Sequence, residues 1–377
     1  MKTYPKTYAF MLPVLVIISI LLAFSLSLSF VRRAEAAYHF ATFTAHSPLH
    51  IYATTGKAPV GMTPAEIKKF YNLPASGGKG TIVIVSAYDA ESIEQDLADF
   101  DAAFALPACT TKNGCFSKHM MSRQESANTG WSLETALDVE WAHAIAPSAK
   151  ILLVEATTPS GANLLAAVDY AAKQKNVAAL SMSWGGAEFP EEISLDKHFV
   201  SASGAPFFAS SGDTGTGASW PAASPNVIGV GGTSLFVGSS GALIKETAWQ
   251  GSGGGASVYE KVPAFQAGYK ISRSGGMRAI PDVAYSADPI SGFPIVHNGV
   301  WRTAGGTSAG APQWAAIAAL GKGATNKNFY VDKSSSTNAS FFRDIVSGAN
   351  GSCGYFCDAR ARYDYVTGLG SPQTVNF

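Results

Sequence analysis

The chain has 377 residues, of which 47% are hydrophobic and 14% charged, with 27 basic and 27 acidic side chains. That length and apolar content bury a substantial core and exclude a disordered chain, in one large domain or two ordinary ones. A formal net charge of +0 gives no field to hold a polyanion, so nucleic acid is not an expected partner.

Lys2 and Lys6 precede an apolar run from Tyr8 to Val31, followed by Arg32, Arg33 and Ala34-Glu35-Ala36-Ala37. A charged start, an apolar middle and an A-x-A end predict a secretory signal over residues 1–37. The run is also long enough to span a bilayer, so the alternative is a retained membrane anchor, and on either account the rest of the chain faces outward. Residues 38–61 form a short polar leader with no clear period, and a single domain is expected over 62–377.

Order begins at Thr63-Pro64-Ala65-Glu66, where threonine caps a helix and proline takes its first position. Thr81–Val85 is a β-branched run suited to a strand buried on both faces, and a helix follows through Ile93, Leu97, Phe100 and Phe104. The alternation continues with strand 150–156, helix 163–173, strand 177–183, helix 191–203 and strands 206–211 and 226–230. Strands alternating with helices predict an α/β fold, a mostly parallel sheet flanked by helices on both faces, with active residues at the carboxyl ends of strands. The four cysteines lie in two close pairs, Cys109 with Cys115 and Cys353 with Cys357, which in an exported chain predicts two short-loop disulfides. Zinc is disfavoured, because neither pair has C-x-x-C spacing and a site built from all four needs the pairs to meet in space.

Three segments carry chemistry. In Trp131–Ala142, Glu134 and Asp138 stand four residues apart on a helix, so both project from one face and repel when both are ionised. Such a pair shares a proton and can act as general base and then acid, although an arbitrary E-x-x-x-D is more often a solvated helix face. Glu140 sits off that face, as a surface or structural acid. Asp213, in Ser210-Ser211-Gly212-Asp213, ends an apolar strand; it either caps a turn or, held neutral, donates a hydrogen bond to a developing oxyanion. Ser308, in Gly306-Thr307-Ser308-Ala309-Gly310-Ala311-Pro312, opens an apolar helix as a nucleophile would. A serine hydroxyl needs a neighbouring base, and none of the seven histidines is followed by glycine as the His-Gly-Thr of subtilisin-like enzymes requires. The base is therefore sought in Glu134 and Asp138.

The ordered set W-x-L-E-x-x-L-D, S-S-G-D and G-G-T-S-A-x-A-P, with Ser181-Met182-Ser183-Trp184-Gly185 and Tyr363–Pro372, resembles the sedolisin family of serine-carboxyl peptidases over residues 62–377. The resemblance implies a subtilisin-like fold with Ser308 as nucleophile, Glu134 as general base, Asp138 as the acid that orients it and Asp213 as the oxyanion acid. It also implies one structural calcium ion in a C-terminal loop, held by Asp344, the carbonyl of Ile345, Asp364 and carbonyls at Arg360 and Arg362. The positions that usually carry glycine before the second aspartate here read Arg360-Ala361-Arg362, which adds positive charge and challenges a backbone conformation suited to glycine. Members are typically made with a long prosegment, for which residues 38–61 are too short. The acid that supports the base in some members is not evident after Val85, with Asp89 nearby.

The expected activity is that of a secreted, monomeric endopeptidase acting on proteins or peptides in acid through an acyl-enzyme. A tripeptidyl aminopeptidase of the same family, and an inactive surface binding protein on the same scaffold, are the alternatives. Asn338-Ala339-Ser340 and Asn350-Gly351-Ser352 match the glycosylation sequon.

Overall fold

A computed structural model describes residues 40, 42–122, 128–238, 242–330 and 341–377. The expected signal or anchor over 1–37 and the first sequon at Asn338 lie outside the described residues. Among the described residues no helix is long and apolar enough to cross a membrane.

The strands in chain order are β1 (His50–Gly56), β2 (Thr81–Ala87), β3 (Phe116–Met120), β4 (Lys150–Ala156), β5 (Val177–Met182), β6 (Gly186–Ala187), β7 (Phe207–Ser210) and β8 (Ser219–Trp220). After them come β9 (Val227–Val237), β10 (Leu243–Ala248), β11 (Gly255–Lys261), β12 (Met277–Ile280), β13 (Val283–Ser286), β14 (Phe293–His297) and β15 (Val300–Gly305). The helices longer than one turn are α1 (Pro64–Phe70), α2 (Ile93–Phe104), α3 (Thr129–Ile145), α4 (Gly161–Ala172), α5 (Ala264–Tyr269) and α6 (Gly310–Leu320). The main sheet runs β10-β9-β7-β5-β2-β4-β3, with β13 also on β9. Its pairings are parallel except β10 on β9.

The β-branched run of β2 is central because both of its faces are apolar. Ile82 and Ile84 pack in one core with Leu137 and Trp141 of α3 and Trp314 and Ile317 of α6. Val83 and Val85 pack in a second core with Leu164, Leu165 and Val168 of α4. This is the helix-covered parallel sheet that the sequence predicts. Thr63 caps α1 through a reciprocal box with Glu66, and both expected disulfides are formed.

Two expectations are corrected. Residues 42–61, within the expected leader, are not without order, since β1 lies at the edge of a β1-β15-β14 sheet, antiparallel to β15. An edge strand has one neighbour and exposes most of its side chains, Ile51 and Tyr52 included, so it carries no apolar alternation. The helix expected over 191–203 is a 3₁₀ segment, Glu192–His198. Ile193 and Val200 are exposed, so the segment has no apolar stripe to hold a longer helix on the sheet.

Candidate active site

The carboxyl ends of β2, β5 and β7 and the amino ends of α3 and α6 converge on one cleft. β15 leads through Gly306 into the turn Thr307–Ala309, which delivers Ser308 at the entry to α6. Gly306 has φ +123°, and a Cβ there would lie 2.1 Å from the Pro48 carbonyl oxygen and 2.5 Å from Asp213 Oδ2. Glycine is thus required by conformation and by space.

The structure brings Ser308, Glu134, Asp138 and Asp213 together. Helix α3, capped by Asn128 on the Trp131 amide, is not an amphipathic surface helix, because its three acids, Glu134, Asp138 and Glu140, and their neighbours are buried. Ser183, just after β5, lies 2.6 Å from Asp138 Oδ1 and 3.1 Å from the Ser308 carbonyl oxygen. A hydroxyl has a single proton and cannot donate to both acceptors. A protonated Asp138 that donates to Ser183, which in turn donates to Ser308, satisfies all three groups. Burial pushes Asp138 well above the usual carboxylate range. Burial, and then the charge of Asp138, push Glu134 up likewise, against hydroxyl contacts from Ser47 and Ser308. Glu134 Oε1 and Asp138 Oδ2 are buried without partners, an arrangement that costs less when the pair shares a proton than when both are ionised.

Asp213 follows β7. Its Oδ1 accepts from the Thr307 amide at 2.8 Å and the Thr307 hydroxyl at 2.7 Å, which leaves Oδ2 facing the cleft, 3.1 Å from His50 Nε2. Burial raises the Asp213 carboxyl, opposed by His50 and Thr307. The contact with Asp213 raises His50.

The cleft holds the chain's own residues 43–50. His46 pairs with Gly185 in both directions, its amide donating at 2.9 Å and its carbonyl accepting at 3.1 Å, and Ala45 donates to Pro159 at 2.9 Å. Two residues beyond His46, the Pro48 carbonyl oxygen accepts from Ser308 Oγ at 2.8 Å. The Ser47 hydroxyl donates to Glu134 Oε2. Beside this strap, Gly185, Gly212, Asp213, Thr214 and Ser219 line a cavity of 270 Å³. None of Ser47, Pro48 or His50 was legible as a site residue, because an extended segment that pairs through its backbone leaves no side-chain signature.

The remaining expected residues separate. Glu140 is structural, buried and accepting from the Val296 amide at 3.0 Å. Asp89 pairs with Lys118 instead of entering the site, while Ser86, the residue after Val85, meets the Thr135 hydroxyl at 2.8 Å. Asn350 of the second sequon is buried, with its amide on the Ser252 carbonyl at 2.7 Å, so in the folded chain it is closed to a glycan.

In the C-terminal loop, Asp344 accepts from the Arg362 amide at 2.7 Å, and Asp364 from the amides of Arg360, Val366 and Thr367 at 3.1, 2.8 and 2.8 Å. Arg362 adopts φ +71°, so arginine does take the conformation that glycine usually supplies. The Arg360 guanidinium turns to Asp358 at 2.9 Å and stacks on Tyr355. Among the described residues, no hydrogen bond reaches the carbonyls of Ile345, Arg360 or Arg362. Two anchored carboxylates, and carbonyls of the same loop that accept no hydrogen bond among the described residues, are donors of the hard-oxygen kind that calcium takes. The Cys353–Cys357 bridge closes the adjoining turn.

A helix that presents Ser308 at the carboxyl edge of a parallel sheet, with the carboxyls of Glu134, Asp138 and Asp213 gathered beside it, gives a subtilisin-like fold with a serine and three acids in one cleft. The model described as Subtilase family matches residues 125–345. Sedolisin from Pseudomonas sp. (strain 101) is 28% identical over 356 residues, covering 82% of this chain and 60% of its own length. Kumamolisin from Bacillus sp. (strain MN-32) is 31% identical over 357 residues, covering 84% and 62%. A solved structure of Pseudomonas sedolisin, titled as a serine-carboxyl proteinase complexed with pseudo-iodotyrostatin, matches with a TM-score of 0.72 at 27% identity, over 84% of this chain and 96% of that one. The chain belongs to the subtilases and, among them, to the sedolisin family. It spans less than two thirds of the length of these curated relatives.

Proposed function

We propose that this chain is an exported serine-carboxyl endopeptidase that hydrolyses peptide bonds in acid, and that residues 43–50 cover its cleft. The observation that carries the proposal is the Pro48 carbonyl at Ser308 Oγ, in a segment paired with Gly185 as an extended peptide pairs with a sheet edge. In the reaction, Glu134 takes the Ser308 proton as Oγ bonds to the carbonyl carbon, and the carbonyl electrons move onto oxygen. A protonated Asp213 donates to that oxygen, with Thr307 fixing the carboxyl from its other side. Glu134, supported by Asp138, then gives its proton to the leaving amine, and water repeats the sequence to release the acid. The raised carboxyls of Glu134, Asp138 and Asp213 support an acid optimum.

Endopeptidase action is favoured over tripeptidyl release because the strap continues past three residues before Pro48, with Ala45 still bonded to Pro159 and Thr44 bridged to Ser160. The test is digestion of a denatured protein in acid with sizing of the products. Mixed lengths support the proposal, uniform three-residue pieces favour the tripeptidyl enzyme, and no cleavage with no labelling of Ser308 by a serine-directed reagent removes both.

The strap competes with substrate. His46→Pro deletes the amide donated to Gly185 and is expected to raise kcat/KM for an added peptide about two- to tenfold, the effect of one lost hydrogen bond on strap docking. An unchanged kcat/KM would show that the strap does not limit access.

The C-terminal loop is proposed to hold one Ca²⁺ through Asp344, Asp364 and the carbonyls of Ile345, Arg360 and Arg362. The ion would cross-link the two loop segments and neutralise their carboxylates. Chelation is expected to lower the thermal midpoint, by about 2.7 kcal/mol of stability where calcium had stood at a hundred times its dissociation constant. Asp344→Asn should shrink that difference; a midpoint indifferent to chelator in the unaltered chain counts against the site.

A further inference from the structure

Away from the cleft, one cluster contains a donor atom that the fold leaves idle. The Cys109–Cys115 disulfide closes the loop between α2 and β3, and His143, near the end of α3, packs against it. Both sulfurs and one ring nitrogen of His143 lie within 4.8 Å of one another. Three elements thus meet at a point that is already cross-linked once.

His143 is fully buried. Its Nε2 lies 2.9 Å from the Pro107 carbonyl oxygen and 3.3 Å from Asp101 Oδ1. Two acceptors on one nitrogen place the ring proton on Nε2, where it is donated, and leave a lone pair on Nδ1. Nδ1 is buried and has no hydrogen-bond partner. A histidine whose one N–H is held by a carbonyl or carboxylate while its other nitrogen keeps a free lone pair has the tautomer and the free donor of a metal-ligating histidine. Asp101 is itself anchored, through its Oδ2, by the Cys109 amide at 3.0 Å, so ligand and orienting groups are tied to the same loop.

We propose that, when the Cys109–Cys115 bond is reduced, Cys109, Cys115 and His143 bind a zinc ion, with Asp101 and Pro107 positioning the imidazole. The step balances with a thiol reductant: two thiols are oxidised to their disulfide as the two cysteine sulfurs each gain an electron and a proton. Zn²⁺ then displaces both thiol protons to the solvent. The resulting pair of thiolates and a neutral imidazole carries no net charge with the ion, which suits a buried place, and water completes the tetrahedron. Thiolate and imidazole select zinc over calcium, so this site and the C-terminal loop do not compete for one ion. The junction of α2, β3 and α3 would be stapled by a covalent bond when oxidised and by a metal when reduced.

The test uses the full chain with Cys353→Ser and Cys357→Ser, which removes the second cysteine pair, and reads no enzymatic activity. Reduced with a phosphine and titrated with Co²⁺ as a spectroscopic substitute for zinc, it is expected to develop a thiolate-to-cobalt charge-transfer band that saturates near about one ion per chain. Zn²⁺ should abolish the band, and the oxidised chain should not form it. His143→Ala is expected to weaken Co²⁺ binding by at least about tenfold, in line with losses of parts of a metal site. A reduced chain that gives no band, whether folded or left unfolded in the presence of Co²⁺ and Zn²⁺, overturns the proposal. So does a band of the same strength and affinity in His143→Ala.

Discussion

Ser308→Ala is expected to lower kcat for peptide hydrolysis by about a millionfold, as loss of a nucleophile does in a site whose members act as a unit. The fold should survive the change. Ser308 Oγ donates to the Pro48 carbonyl, a bond worth about 0.5–1.5 kcal/mol, and also meets Glu134, while the contact between the Ser308 carbonyl and Ser183 is unaffected. Alanine also suits the entry to α6, whose packing rests on Trp314 and Ile317. The check is turnover of a denatured protein in acid by the purified variant, beside a thermal melt. A variant that melts normally and still cleaves at the original rate would remove Ser308 from the reaction.

The second large effect is the loss of activity as pH rises, and its dependence on Asp213. A carboxyl of ordinary pKa, about 3.9 for aspartate, has lost its proton well below neutrality. Burial raises Asp213, and Glu134 and Asp138 more strongly. Their protonated forms therefore persist above the ordinary value and are lost as pH climbs through the raised values. Catalysis that requires Asp213 as a donor should fall about tenfold per pH unit beyond its titration. Asp213→Ala should cost about 10²–10³ in kcat at the acid optimum, the usual effect of deleting an oxyanion donor. Asp213→Asn keeps an oxygen for Thr307 and places an amide donor where Oδ2 faces the cleft, so it should retain more activity than alanine and shift the alkaline limb upward. Parallel pH profiles of kcat/KM for the three chains decide the matter. An asparagine variant as inactive as alanine at every pH would show that a neutral donor at this position is not what catalysis needs. His50 belongs to the same account, because its contact with Asp213 stabilises the carboxylate, so strap docking opposes the protonated form.

The features that local sequence does not encode share a cause. Glu134 and Asp138 have the spacing of a solvated face, and their burial depends on α6 and the sheet closing over α3, packing that no local pattern encodes. β1 gives no apolar alternation because it is an edge strand, and its partner β15 is more than two hundred residues away in sequence. The strap is silent for the same reason, since its pairing uses backbone amides and carbonyls that every residue but proline carries. Arg360 and Arg362 raised a conformational objection from composition alone. The observed φ at Arg362, and the turning of Arg360 towards Asp358 and Tyr355, meet it through local geometry.

The sequence by itself determined the α/β class, the two disulfides, and the serine and three carboxylates that stand together. Each of these is written in local order, as β-branched runs, close cysteine pairs, or short motifs bound to strand and helix ends. Tertiary structure alone decided that both helix acids are buried together, where burial raises both carboxyls. It alone put residues 43–50 in the cleft against Ser308, and left a buried nitrogen of His143 idle beside a disulfide. Those outcomes depend on desolvation and on contacts between distant segments, which arise only when the chain closes on itself.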